Sequence, residues 1–196
     1  MMKRQSTLFP EKEEVILPEL TLEEAEVLAN QIRNAVEAHC ERIEIAGSMR
    51  RQKPIVHDID FVVLAKNDTE WKKINEELRR LRAKPCCSGN SLTKAYLPCN
   101  NEFFQVDFYR AKPETFGIHL LIRTGSAEHN CWLAGYAISK GMRLKYSEGL
   151  SRDGNPIAGA DEKGVFEALN LPFPQPNQRE IVNNKPTWIT FQEQQQ

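Results

Sequence analysis

The chain lacks a long apolar segment. Among its 196 residues no apolar run approaches the roughly 20 residues that a membrane-spanning helix needs. The first residues, Met-Met-Lys-Arg-Gln-Ser, have no apolar core and do not resemble a signal peptide. We therefore expect a cytoplasmic protein, nucleoid-associated if cellular, that makes no membrane contact.

Cysteines are few, and net charge is almost absent. Five cysteines without a repeated spacing argue against a disulfide framework and favour free thiols in a reducing compartment. The formal net charge of −1 excludes a chain that binds nucleic acid over its whole surface. Any nucleic-acid binding must come from local basic patches.

The apolar periodicity predicts an α+β fold. Thr21 followed by Glu24 has the pattern of a capping box, which opens an amphipathic helix. The elements predicted in the first half are helices over 22–39 and 69–83, and strands over 42–46, 59–64, 92–98 and 102–109. The elements predicted in the second half are helices over 114–123, 126–140 and 161–169, with short strands within 143–158.

These elements suggest four segments along the chain. We expect an N-terminal arm at 1–20, a mixed β-sheet domain with flanking helices at 21–112, a smaller helical and β domain at 113–182, and a flexible tail at 183–196. The tail prediction follows from its glutamine-rich composition.

The segment from Gly47 to Arg51 has the composition of a phosphate-binding turn. Gly47 ends a predicted strand and allows backbone N–H groups to face an anion, and Ser48 adds a hydroxyl donor. Arg50 and Arg51 add positive charge. Several donors with one or two cations would suit a triphosphate, although Gly-Ser before Arg-Arg is by itself a weak signal.

Three carboxylates are candidates for a metal site. Asp58 and Asp60 are two residues apart in a predicted strand, so both side chains lie on one face. Asp107 stands between apolar residues in a later strand. If the two strands are neighbours, the three carboxylates converge and can hold two divalent ions. The alternative, a solvated strand face, explains Asp58 and Asp60 alone but not the combination.

The combination resembles a known family. Gly47-Ser48, Asp58-Ile59-Asp60 and Asp107 resemble the signature of the polymerase-beta-like nucleotidyltransferases. The segment from Thr124 through Gly125-Ser126 to Asn130 resembles the more specific Thr-Gly-Ser-x-x-x-Asn motif of family X DNA polymerases. The resemblance covers about residues 22–182 and implies a catalytic palm followed by a thumb. Because only about twenty residues precede Thr21, we expect a minimal form without lyase or nuclease domains.

The resemblance also implies roles for individual residues. Asp58, Asp60 and Asp107 would bind two Mg²⁺ ions, which Mn²⁺ can replace, and Asp107 would lie nearest the primer 3′ hydroxyl. The residues expected to bind the nucleotide are Gly47, Ser48, Arg51, Thr124, Gly125, Ser126 and Asn130. Within this set Ser48 and Arg51 would contact the β- and γ-phosphates, Asn130 would reach the base, and Gly125 and Ser126, joined by a cis peptide, would frame the sugar.

Three departures from the family pattern affect the expected site. Val56-His57 replaces a small pair, often Ser-Gly, so one triphosphate contact is missing, and His57 either replaces it or packs. Ile122-Arg123 stands where relatives have aromatic residues that screen the ribose 2′ hydroxyl, so Arg123 is either a phosphate ligand or a solvated helix residue. Ala127 removes a polar contact.

The implied function is that of a family X type DNA-directed DNA polymerase. It would transfer dNMP to a primer 3′ hydroxyl, release pyrophosphate and fill short gaps in DNA repair as a monomer. The partners would be a dNTP and primer-template or gapped DNA, whose phosphates would be contacted by Lys140, Arg143 and Lys145. Two alternatives are a nucleotidyltransferase with a non-DNA acceptor and a non-catalytic nucleic-acid-binding module.

Overall fold

A computed structural model describes residues 18–100 and 102–189. Its largest element is a five-stranded mixed sheet in the order β2-β4-β7-β6-β5. The strands are β2 Cys40–Ile45, β4 Asp58–Ala65, β5 Lys84–Ser88, β6 Leu92–Cys99 and β7 Glu102–Arg110. Only the β4–β7 pair is parallel, and the other neighbours in this sheet run antiparallel.

One face of the sheet is covered by two helices, α1 (Leu22–Val36) and α3 (Asp68–Arg80). The capping box expected at Thr21 and Glu24 is present at the start of α1, and Asn67 caps α3. The alternate apolar residues of β4 and β7 point towards these helices, and Phe61 stacks on Phe108 with ring centroids 5.0 Å apart. The predicted alternation therefore builds the first core.

The opposite face of the sheet meets helix α4 (Phe116–Thr124). Phe116 and Leu120 of this helix pack with Val62 and Tyr109 of the sheet. The four-residue helix α2 (Gly47–Arg50) connects β2 to the short strand β3 (Ile55–Val56), which pairs with β1 (Leu20–Thr21). Helix α4 is therefore the element through which the second half of the chain reaches the sheet.

The second half has its own core. It contains α5 (Ala127–Ser139), α6 (Glu162–Ala168) and a three-stranded antiparallel sheet of β8 (Arg143–Lys145), β9 (Gly149–Arg152) and β10 (Asn155–Ala158). Leu133, Leu150 and Phe166 lie at its centre. The family expectation of a mixed sheet with helices, followed by a smaller helical and β part, agrees with this α+β architecture.

The structure differs from the sequence predictions in several places, among them the unpredicted pairing of the short strands β1 and β3. Strand β5 was not expected because all five of its residues are exposed and it contains Pro85, so it lacks the alternation of a half-buried strand. The turn after β2 is a one-turn helix. A hairpin of β11 (Ile181–Val182) and β12 (Lys185–Pro186) extends into the predicted tail, and Trp188 packs on the second core.

Two predicted segments fall partly outside the described residues. Residues 1–17 of the expected arm and 190–196 of the expected tail are not among those that the structure describes. Within 18–100 and 102–189, no helix has the length and apolar character needed to cross a bilayer.

A glycine pair tests how tightly the second half is packed. A Cβ added to Gly117 in α4 would lie 2.2 Å from backbone atoms of Asp161, whereas one added to Gly135 in α5 would meet nothing within 4 Å. We expect Gly117→Ala to lower the free energy of unfolding by about 1–3 kcal/mol. The control Gly135→Ala should be neutral or stabilising by up to about 1 kcal/mol, since alanine favours helix. Urea denaturation of both variants measures this, and equal stabilities would contradict the packing described.

Candidate active site

The three predicted carboxylates lie on neighbouring strands of the sheet. Strand β4 pairs in parallel with β7, and the register places Asp60 directly opposite Asp107 and Asp58 opposite Gln105. Since side chains alternate along a strand, Asp58, Asp60 and Asp107 share the face that α4 approaches. The strand adjacency on which the sequence hypothesis depended is therefore present.

Burial and mutual repulsion govern the electrostatics of this face. Burial, followed by the carboxylates of Asp58 and Asp107, raises the pKa of Asp60 to about 7, although Arg123 and Lys94 oppose the rise. Burial also raises the pKa of Asp58, followed by the effect of Asp107. The raised pKa values show that too little positive charge lies near Asp58 and Asp60 to stabilise both carboxylates in their ionised form. Carboxylate oxygens are hard donors, which suit Mg²⁺ or Mn²⁺.

Asp107 is held differently from the other two carboxylates. Its carboxylate is almost fully buried and receives a hydrogen bond from Lys94 Nζ to Oδ2 at 2.6 Å. Tyr109 Oη donates to the same oxygen at 2.9 Å, and Gln105 Nε2 donates to Oδ1 at 3.2 Å. Across residues 18–100 and 102–189, no three acidic, histidine or cysteine side chains are already arranged as a metal-binding group. The donor set fits a divalent ion, but Asp107 is engaged by Lys94.

Gly47 and Ser48 lie beside these carboxylates. Gly47 has a φ of +61°, and a Cβ at this position would be 2.2 Å from Asp60 Oδ2. Glycine is therefore required both by the backbone conformation and by the close approach of Asp60. Ser48 Oγ is buried and, among the described residues, has no hydrogen-bond partner. A buried hydroxyl without a partner is free to donate to a bound oxygen ligand, and the phosphate contact of Ser48 stays a prediction.

The two arginines expected to add charge near the phosphates both contact the second half. Arg50 Nη1 donates to Thr124 Oγ1 at 2.7 Å, and both its terminal nitrogens donate to Glu162 at 2.5 and 2.9 Å. Arg51 Nη1 donates to the carbonyl oxygen of Thr124. Arg50 is thus fully engaged as a bridge between α2, α4 and α6, so it does not face the carboxylates as a free cation.

Glu162 is the centre of this bridge. Besides Arg50, it receives a hydrogen bond from Arg179 Nη1 at 2.8 Å, and the Arg179 side chain is fully buried. Burial opposes ionisation, but the two guanidinium groups hold the pKa of Glu162 below its ordinary value. A buried carboxylate between two arginines is stable only while both partners are present.

The nucleotide-binding residues expected in the second half lie at the junction of α4 and α5. The peptide bond between Gly125 and Ser126 is cis, as the resemblance implied. The N–H of His129 donates to Ser126 Oγ at 3.3 Å, which caps α5. Asn130 Nδ2 donates to the carbonyl oxygen of Ile122 at 2.7 Å. Thr124, Gly125, Ser126 and Asn130 therefore form one connected turn beside Arg51.

His57 is exposed, whereas Arg123 lies close to the carboxylates. The His57 side chain is 58% exposed and its Nδ1 lies 3.5 Å from Glu19, so it does not pack in a core. The Arg123 guanidinium lies 3.7 Å from the centroid of the Tyr109 ring and is close enough to lower the pKa of Asp60. Arg123 is therefore a cation near the carboxylates and not a solvated helix residue.

The three predicted DNA contacts are exposed on the surface of the second half. Lys140 follows α5, and Arg143 and Lys145 lie on β8 beside a cavity of about 510 Å³. Lys145 is paired with Glu148 at 3.0 Å, and Lys140 lies over the Tyr136 ring. These cations form a surface separate from the carboxylate strands, on the β8 side of the molecule.

Sequence reasoning did not identify five residues of this region: Lys94, Gln105, Tyr109, Glu162 and Arg179. Gln105 and Tyr109 could have been found, because both are two residues from Asp107 in a strand and share its face. Lys94 could also have been found, because the short connection between β6 and β7 pairs Cys99 with Glu102 and hence Lys94 with Asp107. Glu162 and Arg179 carry no local signal.

Comparisons with known proteins agree with the geometry. Residues 119–180 match the family model of the DNA polymerase beta thumb. The chain is 34% identical over 83 residues to DNA polymerase IV of Saccharomyces cerevisiae, an alignment that covers 42% of this chain and 14% of that protein. It is 27% identical over 143 residues to the DNA polymerase/3'-5' exonuclease PolX of Bacillus subtilis, covering 72% of this chain and 25% of that protein. The aligned region thus spans a quarter or less of these relatives.

Removal of one carboxylate should stabilise the metal-free protein. The pKa of Asp60 rises from 3.8 to about 7 on folding, so its ionisation costs stability as the pH rises through this interval. In the presence of EDTA at pH 8, Asp60→Asn should raise the Tm by at least about 2–4 °C, the shift expected for about 1 kcal/mol.

The pH dependence and a control make this test specific. The gain should shrink as the pH falls from 7 towards 4, where Asp60 is protonated in the folded state and partly protonated in the unfolded state. Asp153→Asn, at an exposed turn, should leave the Tm unchanged. Differential scanning calorimetry gives the comparison, and a lower Tm for Asp60→Asn at pH 8 would contradict the repulsion.

Proposed function

We propose that this chain, a relative of the family X DNA polymerases, transfers dNMP from a dNTP to the 3′ hydroxyl of a DNA primer and releases pyrophosphate. The observation that carries the proposal is the parallel pairing of β4 with β7, which brings Asp58, Asp60 and Asp107 to one face of the sheet. Arg123, next to the Thr124–Asn130 turn in the chain, is close enough to this face to lower the pKa of Asp60. We further propose that it fills short gaps in DNA repair, acting as a monomer inside the cell.

The proposed cofactor is a pair of Mg²⁺ ions, with Mn²⁺ as a substitute. Asp58 and Asp60 would hold both ions, and Asp107 would hold the one nearer the primer. When bound, these ions would supply charge stabilisation to the attacking and leaving oxygens of the transfer. The burial and repulsion that raise the pKa of Asp60 support a cation requirement at this place.

The remaining residues have binding and orienting roles in this proposal. Ser48, whose buried hydroxyl lacks a partner among the described residues, would donate to the terminal phosphates together with Arg51. The Gly125–Ser126 backbone would frame the sugar, and Asn130 would reach the base. Most of the rate enhancement would come from positioning these groups and from charge stabilisation.

Arg123 affects sugar selection in this proposal. Relatives expose an aromatic ring where this chain has Ile122-Arg123, and here the Arg123 side chain is stacked on Tyr109. No aromatic side chain of that segment therefore stands beside the sugar. Parallel extension assays with dNTP and NTP compare the two substrates, and discrimination weaker than that of an aromatic-gated enzyme is the expected result.

Loss of the third carboxylate should abolish transfer. Asp107→Asn should reduce primer extension on one-nucleotide-gapped DNA by about a hundred- to a thousandfold, the scale on which loss of electrostatic stabilisation acts in other enzymes. Nucleotide affinity should change little. The control Glu26→Gln, at an exposed position of α1, should retain activity.

The same assay separates the competing functions. Extension of labelled gapped DNA supports the proposal, while transfer only to RNA, protein or small-molecule acceptors would indicate another nucleotidyltransferase. No turnover with any acceptor, or full activity of Asp107→Asn, would contradict the assigned chemistry.

DNA affinity should depend on the basic surface formed by Lys140, Arg143 and Lys145. Arg143 is exposed on β8, and its replacement by alanine should remove about one phosphate contact and lower the slope of log K against log salt by about 1. Lys163→Ala on α6, a cation paired with Glu167 at 3.2 Å, is the control. Fluorescence anisotropy with gapped DNA at several salt concentrations measures the slope for each variant. Equal slopes for Arg143→Ala and Lys163→Ala would show that Arg143 does not contact the DNA.

Weak binding to DNA should also limit the length of the products. We expect the enzyme to add few nucleotides before it dissociates, because the basic surface offers few phosphate contacts. Extension in the presence of excess trap DNA tests this, and long products would contradict it.

A further inference from the structure

Lys94 occupies the place of a counter-cation on the most buried carboxylate of the site. It lies on β6 directly opposite Asp107 on β7, and its Nζ is 2.6 Å from Asp107 Oδ2. The Asp107 side chain is only 2% exposed, while the Lys94 side chain is 34% exposed. The carboxylate has no access to bulk water for solvation, whereas the ammonium has a flexible stem and a route to solvent.

Two further side chains donate hydrogen bonds to Asp107. Tyr109 Oη donates to Oδ2, the oxygen that Lys94 also contacts, and Gln105 Nε2 donates to Oδ1. All these donors lie on the carboxylate face of β6 and β7. In the described residues neither Asp58 nor Asp60 receives a comparable ion pair. Of the three carboxylates, Asp107 is therefore the one paired with the Lys94 ammonium.

This asymmetry has a consequence for cation binding. A divalent ion shared with Asp107 would come close to the Lys94 ammonium, and two cations at such a separation repel each other strongly in a buried site. Asp107 cannot stay buried without a positive partner. If the divalent ion takes the place of the Lys94 ammonium beside Asp107, the two cations do not repel each other and Asp107 keeps a positive partner. This exchange is feasible because the flexible Lys94 side chain can move into water.

We propose that Lys94 is a positioning residue that holds Asp107 in an ion pair, and that a divalent ion must displace Lys94 to recruit Asp107. Lys94 therefore lowers the affinity of the free protein for the ion and keeps the three-carboxylate cluster incomplete until the ion binds. This inference rests on the proposed function for the identity of the ion, but it concerns the protein without DNA or nucleotide.

The test is Mn²⁺ binding to the full chain alone, measured by the electron paramagnetic resonance signal of free Mn²⁺ at pH 7.5. Lys94→Met should bind Mn²⁺ about fivefold or more tightly than the unaltered protein, within the range of coupling between contacting charged groups. Lys94→Arg keeps the ion pair and should bind with unchanged affinity. Lys84→Met removes the same charge from β5, where Lys84 lies over the Phe103 ring, and should also leave the affinity unchanged.

A double-mutant cycle separates the direct pair from a general charge effect. In an Asp107→Asn background, Lys94→Met should give no gain in Mn²⁺ affinity, because the carboxylate that Lys94 restrains is absent. An equal gain in both backgrounds would show that Lys94 acts only as a nearby charge and would overturn the proposal. Unchanged or weaker binding by Lys94→Met would overturn it as well.

Two features keep the test decisive. Lys94→Gln retains a hydrogen-bond donor to Asp107 without the charge and should also bind Mn²⁺ more tightly. It replaces Lys94→Met in the test if the methionine variant folds poorly. Failure to extend primers would overturn the polymerase proposal alone, because Mn²⁺ binding is measured without DNA or nucleotide. If Lys94→Met and Lys94→Gln bind Mn²⁺ with the same affinity as the parent protein, the Lys94 proposal alone is overturned.

Discussion

The parallel pairing of β4 with β7 is the constraint on which the rest of the site depends. It places Asp60 opposite Asp107 in the sheet and therefore concentrates negative charge on one face. A slip of one residue would turn Asp107 into the apolar core, where Val106 and Phe108 now pack. The stacked pair of Phe61 and Phe108 on the opposite face opposes such a slip. Packing on one side of the sheet thus maintains the electrostatics of the other.

Charge on the carboxylate face is compensated from two directions. Lys94 comes from the neighbouring strand of the same sheet, whereas Arg123 comes from α4 in the second half and stacks on Tyr109. The compensation is unequal, because Asp107 has an ion pair and Asp60 retains a raised pKa. Without a bound metal the carboxylate face therefore has a local deficit of positive charge, which is the physical basis of the proposed cation site.

The two halves of the chain are joined by buried polar contacts as well as by apolar packing. Arg50 of α2 contacts Thr124 and Glu162, and Glu162 also pairs with the fully buried Arg179. These bonds tie the Gly47–Ser48 turn to the Thr124–Asn130 turn. Because a buried charge without its partner is costly, the geometry of both turns depends on one network.

The sequence by itself determined the helices, most strands and the candidate carboxylates, because apolar periodicity and capping are local properties. It also allowed the resemblance to be stated, including the cis peptide at Gly125–Ser126, which the structure contains. Strand β5 and the β11–β12 hairpin were missed because exposed, short strands have little periodicity. The register of the β6–β7 hairpin could have placed Lys94 opposite Asp107. Only the tertiary structure decided that Arg50 turns towards Glu162, because that contact joins residues whose proximity arises from helix packing. Such long-range pairings leave no trace in the local pattern of the residues that make them.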